Sequence, residues 1–98
     1  MKTKNEYIAL IQASGKQLSE LGIRSLRIFG SVARNEQTAD SDVDVCVETE
    51  TPNPFLLMDV KSFLEKLVGC NVDIIRFRQN MNPYLKQQIE KEGIYVIQ

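Results

Sequence analysis

Two aspartates one residue apart, Asp42 and Asp44, open a stretch in which Val43, Val45 and Val47 alternate with them. Side chains at i and i+2 of a strand leave the same face, so both carboxylates would lie within reach of one hard cation. Aspartate is disfavoured in strands, and two on one face repel unless a cation sits between them. The competing reading is a pair of carboxylates on a solvated strand face. Asp73 lies within a second apolar run, Val72-Asp73-Ile74-Ile75, where a charge is costly without a partner. If the two strands are neighbours, three carboxylates gather; if not, Asp73 is an edge residue facing water. Three carboxylates on neighbouring strands are what two magnesium ions bridging a triphosphate and a nucleophile require.

Separated from Asp42 by ten residues, a Gly30-Ser31 pair directly follows the apolar run Leu26-Arg27-Ile28-Phe29. A glycine lets the backbone approach a phosphate, and the start of a helix offers unpaired N–H groups to it. Ser31 adds a hydroxyl. As a bare dipeptide Gly-Ser is usually only a turn. Arg34, one helical turn on, either reaches a phosphate or pairs with Glu36 or Asp40. Phosphate cradle and carboxylate pair in one stretch, Gly30 to Val45, read together as a site for nucleotidyl transfer.

The elements that must position these groups follow from apolar spacing and turn residues. A helix is expected over Lys4 to Leu21, weakened at Ser14-Gly15 and stopped by Gly22. A strand over Ile23 to Phe29, a short helix from Ser31 to Arg34 and a polar loop to Ser41 come next. A strand then runs Asp42 to Thr49, with Val43, Val45 and Val47 on one face and Asp42, Asp44, Cys46 and Glu48 on the other. After the loop Glu50 to Pro54, a helix with a broad apolar stripe covers Phe55 to Val68, and Gly69 ends it. Cys70 to Phe77 reads as a strand, Pro83 to Lys91 as a helix and Ile94 to Ile97 as a final strand. This order predicts an α/β (α+β) fold, a small sheet layered with helices, in a single domain over residues 1–98.

Composition narrows the chemistry. The chain has 98 residues, 43% hydrophobic and 26% charged, and a formal net charge of −1. No general basic patch is implied, which argues against nucleic acid as a partner held by phosphate contacts. There is no histidine, so Ser-His-Asp and Cys-His mechanisms and His-ligated zinc are excluded. The two cysteines, Cys46 and Cys70, read as packed thiols in a reducing compartment. No apolar run reaches spanning length and no signal-peptide core is present, so a cytoplasmic, membrane-free protein is expected.

Gly-Ser, ten residues, Asp-x-Asp and a later strand aspartate resemble the signature of the DNA polymerase β-type nucleotidyltransferase superfamily. The small size and the wording Gly-Ser-Val-Ala-Arg…Asp-Ser-Asp-Val-Asp are similar, more narrowly, to the minimal nucleotidyltransferase (MNT) proteins commonly encoded beside a HEPN-domain toxin. The resemblance runs from about Ile23 to the end of the chain. It implies a polymerase β-like fold with a small mixed sheet, and magnesium (two ions, or manganese) held by Asp42, Asp44 and Asp73. Asp73 would also help activate the acceptor hydroxyl, and Gly30 and Ser31 would hold the β- and γ-phosphates of ATP, with Arg34 beside them. Asn35 stands where many relatives have glycine, and Thr38-Ala39 lacks their basic residue or proline.

The implied function is a protein adenylyltransferase antitoxin that moves AMP from ATP to a tyrosine of a HEPN ribonuclease toxin, with which it would form a hetero-oligomer. Size agrees, because little chain remains beyond the strands to build a pocket for a second small molecule. Phe55, Met58 and Met81 read either as a docking surface or as core and its rim. Two rival readings are a binding-only antitoxin and a small-molecule (antibiotic) nucleotidyltransferase.

Overall fold

Strand β1 (Ile23–Phe29) and strand β2 (Val43–Thr49) form the centre of the fold as an antiparallel pair, with Phe29 opposite Asp44. The structure is a computed structural model and describes residues 1–98. On the far side of β2 lies strand β3 (Val72–Arg76), parallel to it; on the far side of β1 lies strand β4 (Ile94–Ile97), antiparallel. The sheet order is therefore β3-β2-β1-β4, a mixed four-stranded sheet. The parallel β2–β3 pair requires a crossover, which helix α4 (Pro54–Val68) supplies.

The expected N-terminal helix is two helices, α1 (Lys4–Ala13) and α2 (Gly15–Glu20), joined at Ser14. Ser14 caps the first, its N–H donating to the Ile11 carbonyl at 3.0 Å, and serine followed by glycine is poor material for continuing a helix. Thr3 and Glu6 form a reciprocal capping box at the start of α1. Asn53 caps α4 with Pro54 in its first turn, and Gly69, at φ 78°, ends it in the left-handed region. Asn82 and Pro83 repeat the same start for helix α5 (Pro83–Glu92). A single turn of helix, α3 (Gly30–Ala33), follows β1.

Two expected strands are shorter than the sequence predicts. The second strand begins at Val43, so Asp42 stands one residue outside it; the Val43 N–H donates to the Asn71 carbonyl at 3.0 Å. The third is shorter than Cys70 to Phe77, because Cys70 belongs to the turn leaving α4.

Helices α1, α2 and α4 cover one face of the sheet. Ile11, Leu18, Val60 and Leu64 close there on Leu26, Ile28, Val43, Val45 and Val47, all at 1% exposure or less. The opposite face has a smaller cluster, Phe29, Cys46, Met81 and Ile89, built largely by α5 and the segment before it. Met81 is thus core on that side, whereas Phe55 and Met58 are exposed on α4; the three do not form one surface. Both thiols are free, and burial pushes that of Cys46 up to about 11. No helix is long and apolar enough to cross a membrane.

Candidate active site

A single line of residues crosses three strands at one end of the sheet. Asp73 of β3 pairs in register with Asp44 of β2, and Asp44 with Phe29 of β1. Gly30 and Ser31 follow Phe29 at once, and Asp42 lies one residue ahead of β2. The pleat sends Asp44 and Asp73 to the face opposite the main core, since Val43, Val45 and Val72 occupy the other. Sequence spacing and strand order therefore bring Gly30, Ser31, Asp42, Asp44 and Asp73 to one place.

Asp44 is the most perturbed of the acids. Burial first, and then the charges of Asp73 and Asp42, raise its pKa to about 6, while Arg34 works in the opposite direction. Its carboxyl group lies against Gly30, where the backbone is at φ 74° and an added Cβ would overlap the carboxylate. Both features demand glycine, one through backbone conformation and one through space. Asp73 is exposed on the edge strand and Asp42 is half-buried. No three acidic or cysteine side chains are grouped closely enough to enclose a cation.

The donor set nevertheless suits a hard divalent ion. It is all carboxylate oxygen, and the acid crowding that lifts the pKa of Asp44 is what a cation would relieve. Asp73, exposed, has the freedom to turn toward it.

Arg34 is engaged by carboxylates. Its Nε donates to Glu36 at 2.7 Å, and its Nη1 to both oxygens of Glu92 at 2.9 and 3.1 Å; Asp40 takes no part. The Gly30 N–H, at the turn expected to approach a phosphate, donates to Glu92 at 3.0 Å. Partial burial works to raise the pKa of Glu92, but hydrogen bonds from Gln88, Arg34 and Gly30 outweigh it and hold the carboxyl below the usual range. Asn35 has φ 59°, a left-handed backbone that asparagine is among the few residues other than glycine to tolerate.

Two residues of this face have no site role in the sequence reading. Glu92 gives no local signal, being one acid near a helix end. Arg27 does, since it interrupts the apolar run of β1 much as Asp73 interrupts that of β3. It is 6% exposed, with its guanidinium 4.7 Å from the ring centres of both Phe77 and Tyr95. None of the cavities of the chain is lined by Asp42, Asp44 or Asp73; Asp73 is exposed, and Asp42 and Asp44 are half-buried.

Residues 12–96 match the family described as nucleotidyltransferase domain. A Methanocaldococcus jannaschii protein, provisionally named a protein adenylyltransferase, is 41% identical over 98 residues, covering 98% of this chain and all of the relative. A solved structure provisionally described as a minimal nucleotidyltransferase superposes with a TM-score of 0.79 at 33% identity, covering 95% of each chain. The complex of a tri-AMPylated Shewanella oneidensis HEPN toxin with MNT antitoxin shares the fold, with a TM-score of 0.58 and 17% identity over 87% of this chain and 70% of the other.

Proposed function

Since this chain belongs to the nucleotidyltransferase domain family, we propose that it is a metal-dependent protein adenylyltransferase, an antitoxin that moves AMP from ATP onto a tyrosine of a HEPN toxin. The observation that carries the reading is the strand line Asp73–Asp44–Phe29, which gathers the acids beside Gly30 and Ser31. Residues 1–98 act in it as one minimal domain. In the reaction, the tyrosine oxygen bonds to the α-phosphorus of ATP, the bond from that phosphorus to the β-phosphate oxygen breaks, and diphosphate leaves. The phenolic proton passes to a carboxylate, a role that the exposure of Asp73 on the edge strand supports.

Asp42, Asp44 and Asp73 would hold magnesium, which supplies charge neutralisation of the polyphosphate and of the attacking oxygen. Ser31 and Arg34 orient the outer phosphates, and Gly30 leaves room for the Asp44 carboxylate. The exposure of Asp73 and the lack of a cavity around the acids favour a protein acceptor, which would wall the site by docking on it and exclude water from the transfer. A cytoplasmic setting goes with this reading, because ATP is supplied there and both thiols are free.

The test is the intact mass of a partner HEPN protein after incubation with this chain, ATP and magnesium. The expected result is a gain of one or more AMP units that disappears in the Asp42→Asn/Asp44→Asn variant. Labelling that survives both substitutions sinks the reading. Co-purification without any mass gain would favour inhibition by binding, and neither labelling nor complex would favour a small-molecule acceptor.

A further inference from the structure

The carboxylate of Glu92 is the most heavily engaged acid in the chain, and the sheet register explains its place. Ile94 of β4 pairs with Ile28 of β1 in antiparallel fashion, so continuing that register by two residues sets Glu92 opposite Gly30. Gly93 makes the turn between α5 and β4, where an added Cβ would overlap the Ile89 carbonyl. The backbone of Glu92 is therefore fixed by a helix end on one side and by sheet pairing on the other.

Its side chain ties α5 to α3 and to the residue that caps it. One oxygen accepts from the Gly30 N–H at 3.0 Å and from Gln88 Nε2 at 2.9 Å, and both oxygens accept from Arg34 Nη1. Glu36 takes Arg34 Nε. These bonds use Nε and Nη1 and leave Nη2 free of them. A carboxylate beside a polyphosphate site would repel the ligand if it stood alone. Here its charge is spent on Arg34, and in return the guanidinium loses the rotamer freedom it would otherwise have to give up on binding.

We propose that Glu92 is a positioning residue: it sets the Gly30–Ser31 turn and holds the Arg34 guanidinium with Nη2 presented to the nucleotide's phosphates. This rests on the adenylyltransferase reading above. Glu92 does not touch the nucleotide itself; it acts through Gly30 and Arg34.

The test is calorimetric titration of magnesium with a non-hydrolysable ATP analogue into the wild type, Glu92→Gln, Arg34→Ala and the double variant, with a thermal melt of each. Glu92→Gln should weaken binding about fivefold to tenfold, the loss of one charge-assisted contact. Arg34→Ala should weaken it at least as much, and the double variant should match Arg34→Ala within about twofold, because both changes remove one device. Losses that multiply in the double variant would mean that Glu92 only stabilises the fold and would overturn the inference. Unchanged or tighter binding by Glu92→Gln would overturn it too, the second outcome marking Glu92 as a plug that competes with phosphate. If Glu92→Gln fails to fold, Glu92→Asp replaces it in the same cycle with the same criteria. Wild-type binding with no effect at Glu92 removes this inference alone, whereas absence of binding by the wild type removes the adenylyltransferase reading and this inference with it.

Discussion

On the helix-covered face of the sheet, Leu26, Ile28, Val43, Val45, Val47 and Val72 are sealed beneath α1, α2 and α4, while alternate residues of the same strands put Arg27, Asp44, Cys46 and Asp73 on the other face. The first face is aliphatic, and its stability comes from area removed from water. The second has a small apolar patch under α5 and otherwise carries charge: Asp44 with a raised pKa, Arg27 between two rings, and Glu92 bound to three donors. One strand can serve both because its side chains alternate. The comparison teaches that the sealed face can bear the cost of crowding acids on the other, so substitutions on the two faces should separate stability from activity.

The largest effect belongs to the charged face. Asp42→Asn with Asp44→Asn should lower adenylyl transfer by about a thousandfold or more in a mass-labelling assay. The melting temperature should hold or rise, and a fall would break the proposed division. Leu64→Ala, fully buried on the sealed face, should cost about 2–5 kcal/mol in urea unfolding. Activity per folded molecule should stay at the wild-type level. Gly30→Ala joins the two faces: the left-handed backbone costs about 1–2 kcal/mol, and displacement of the Asp44 carboxylate should also weaken nucleotide binding.

The smallest effect is on stability and pH. Asp44, with its pKa raised from 3.8 to about 6, keeps in the fold a proton that the unfolded chain has already released. Stability in the absence of metal should therefore fall as pH rises from about 4 to 6 and stay at its lower level above that. Asp44→Asn should remove this slope and stabilise the protein at pH 7 by on the order of 1 kcal/mol, after discounting for solvent screening of a partly exposed group. Thermal melts at several pH values check both. A slope of the opposite sign would mean that the acid crowding is already relieved within the fold.

Local patterns in the chain were enough for much of this. Alternation in Val43–Thr49 assigned three valines to the core, and the weak Ser14-Gly15 point foretold the break between α1 and α2. The spacing Gly30-Ser31 to Asp42 and Asp44 marked the candidate site, because backbone permissiveness and carboxylate charge are properties of residue type. Strand order was not local. Only the parallel placement of β3 beside β2 put Asp73 opposite Asp44 rather than at some remote edge. Only the pairing of β4 with β1 carried Glu92 to Gly30, 62 positions away in sequence, and so gave the Gly30 N–H a carboxylate acceptor. Residue types and their spacing say which groups can do chemistry. Which partner each finds depends on contacts between distant segments, and those are set by the joint burial of all the strands and helices at once.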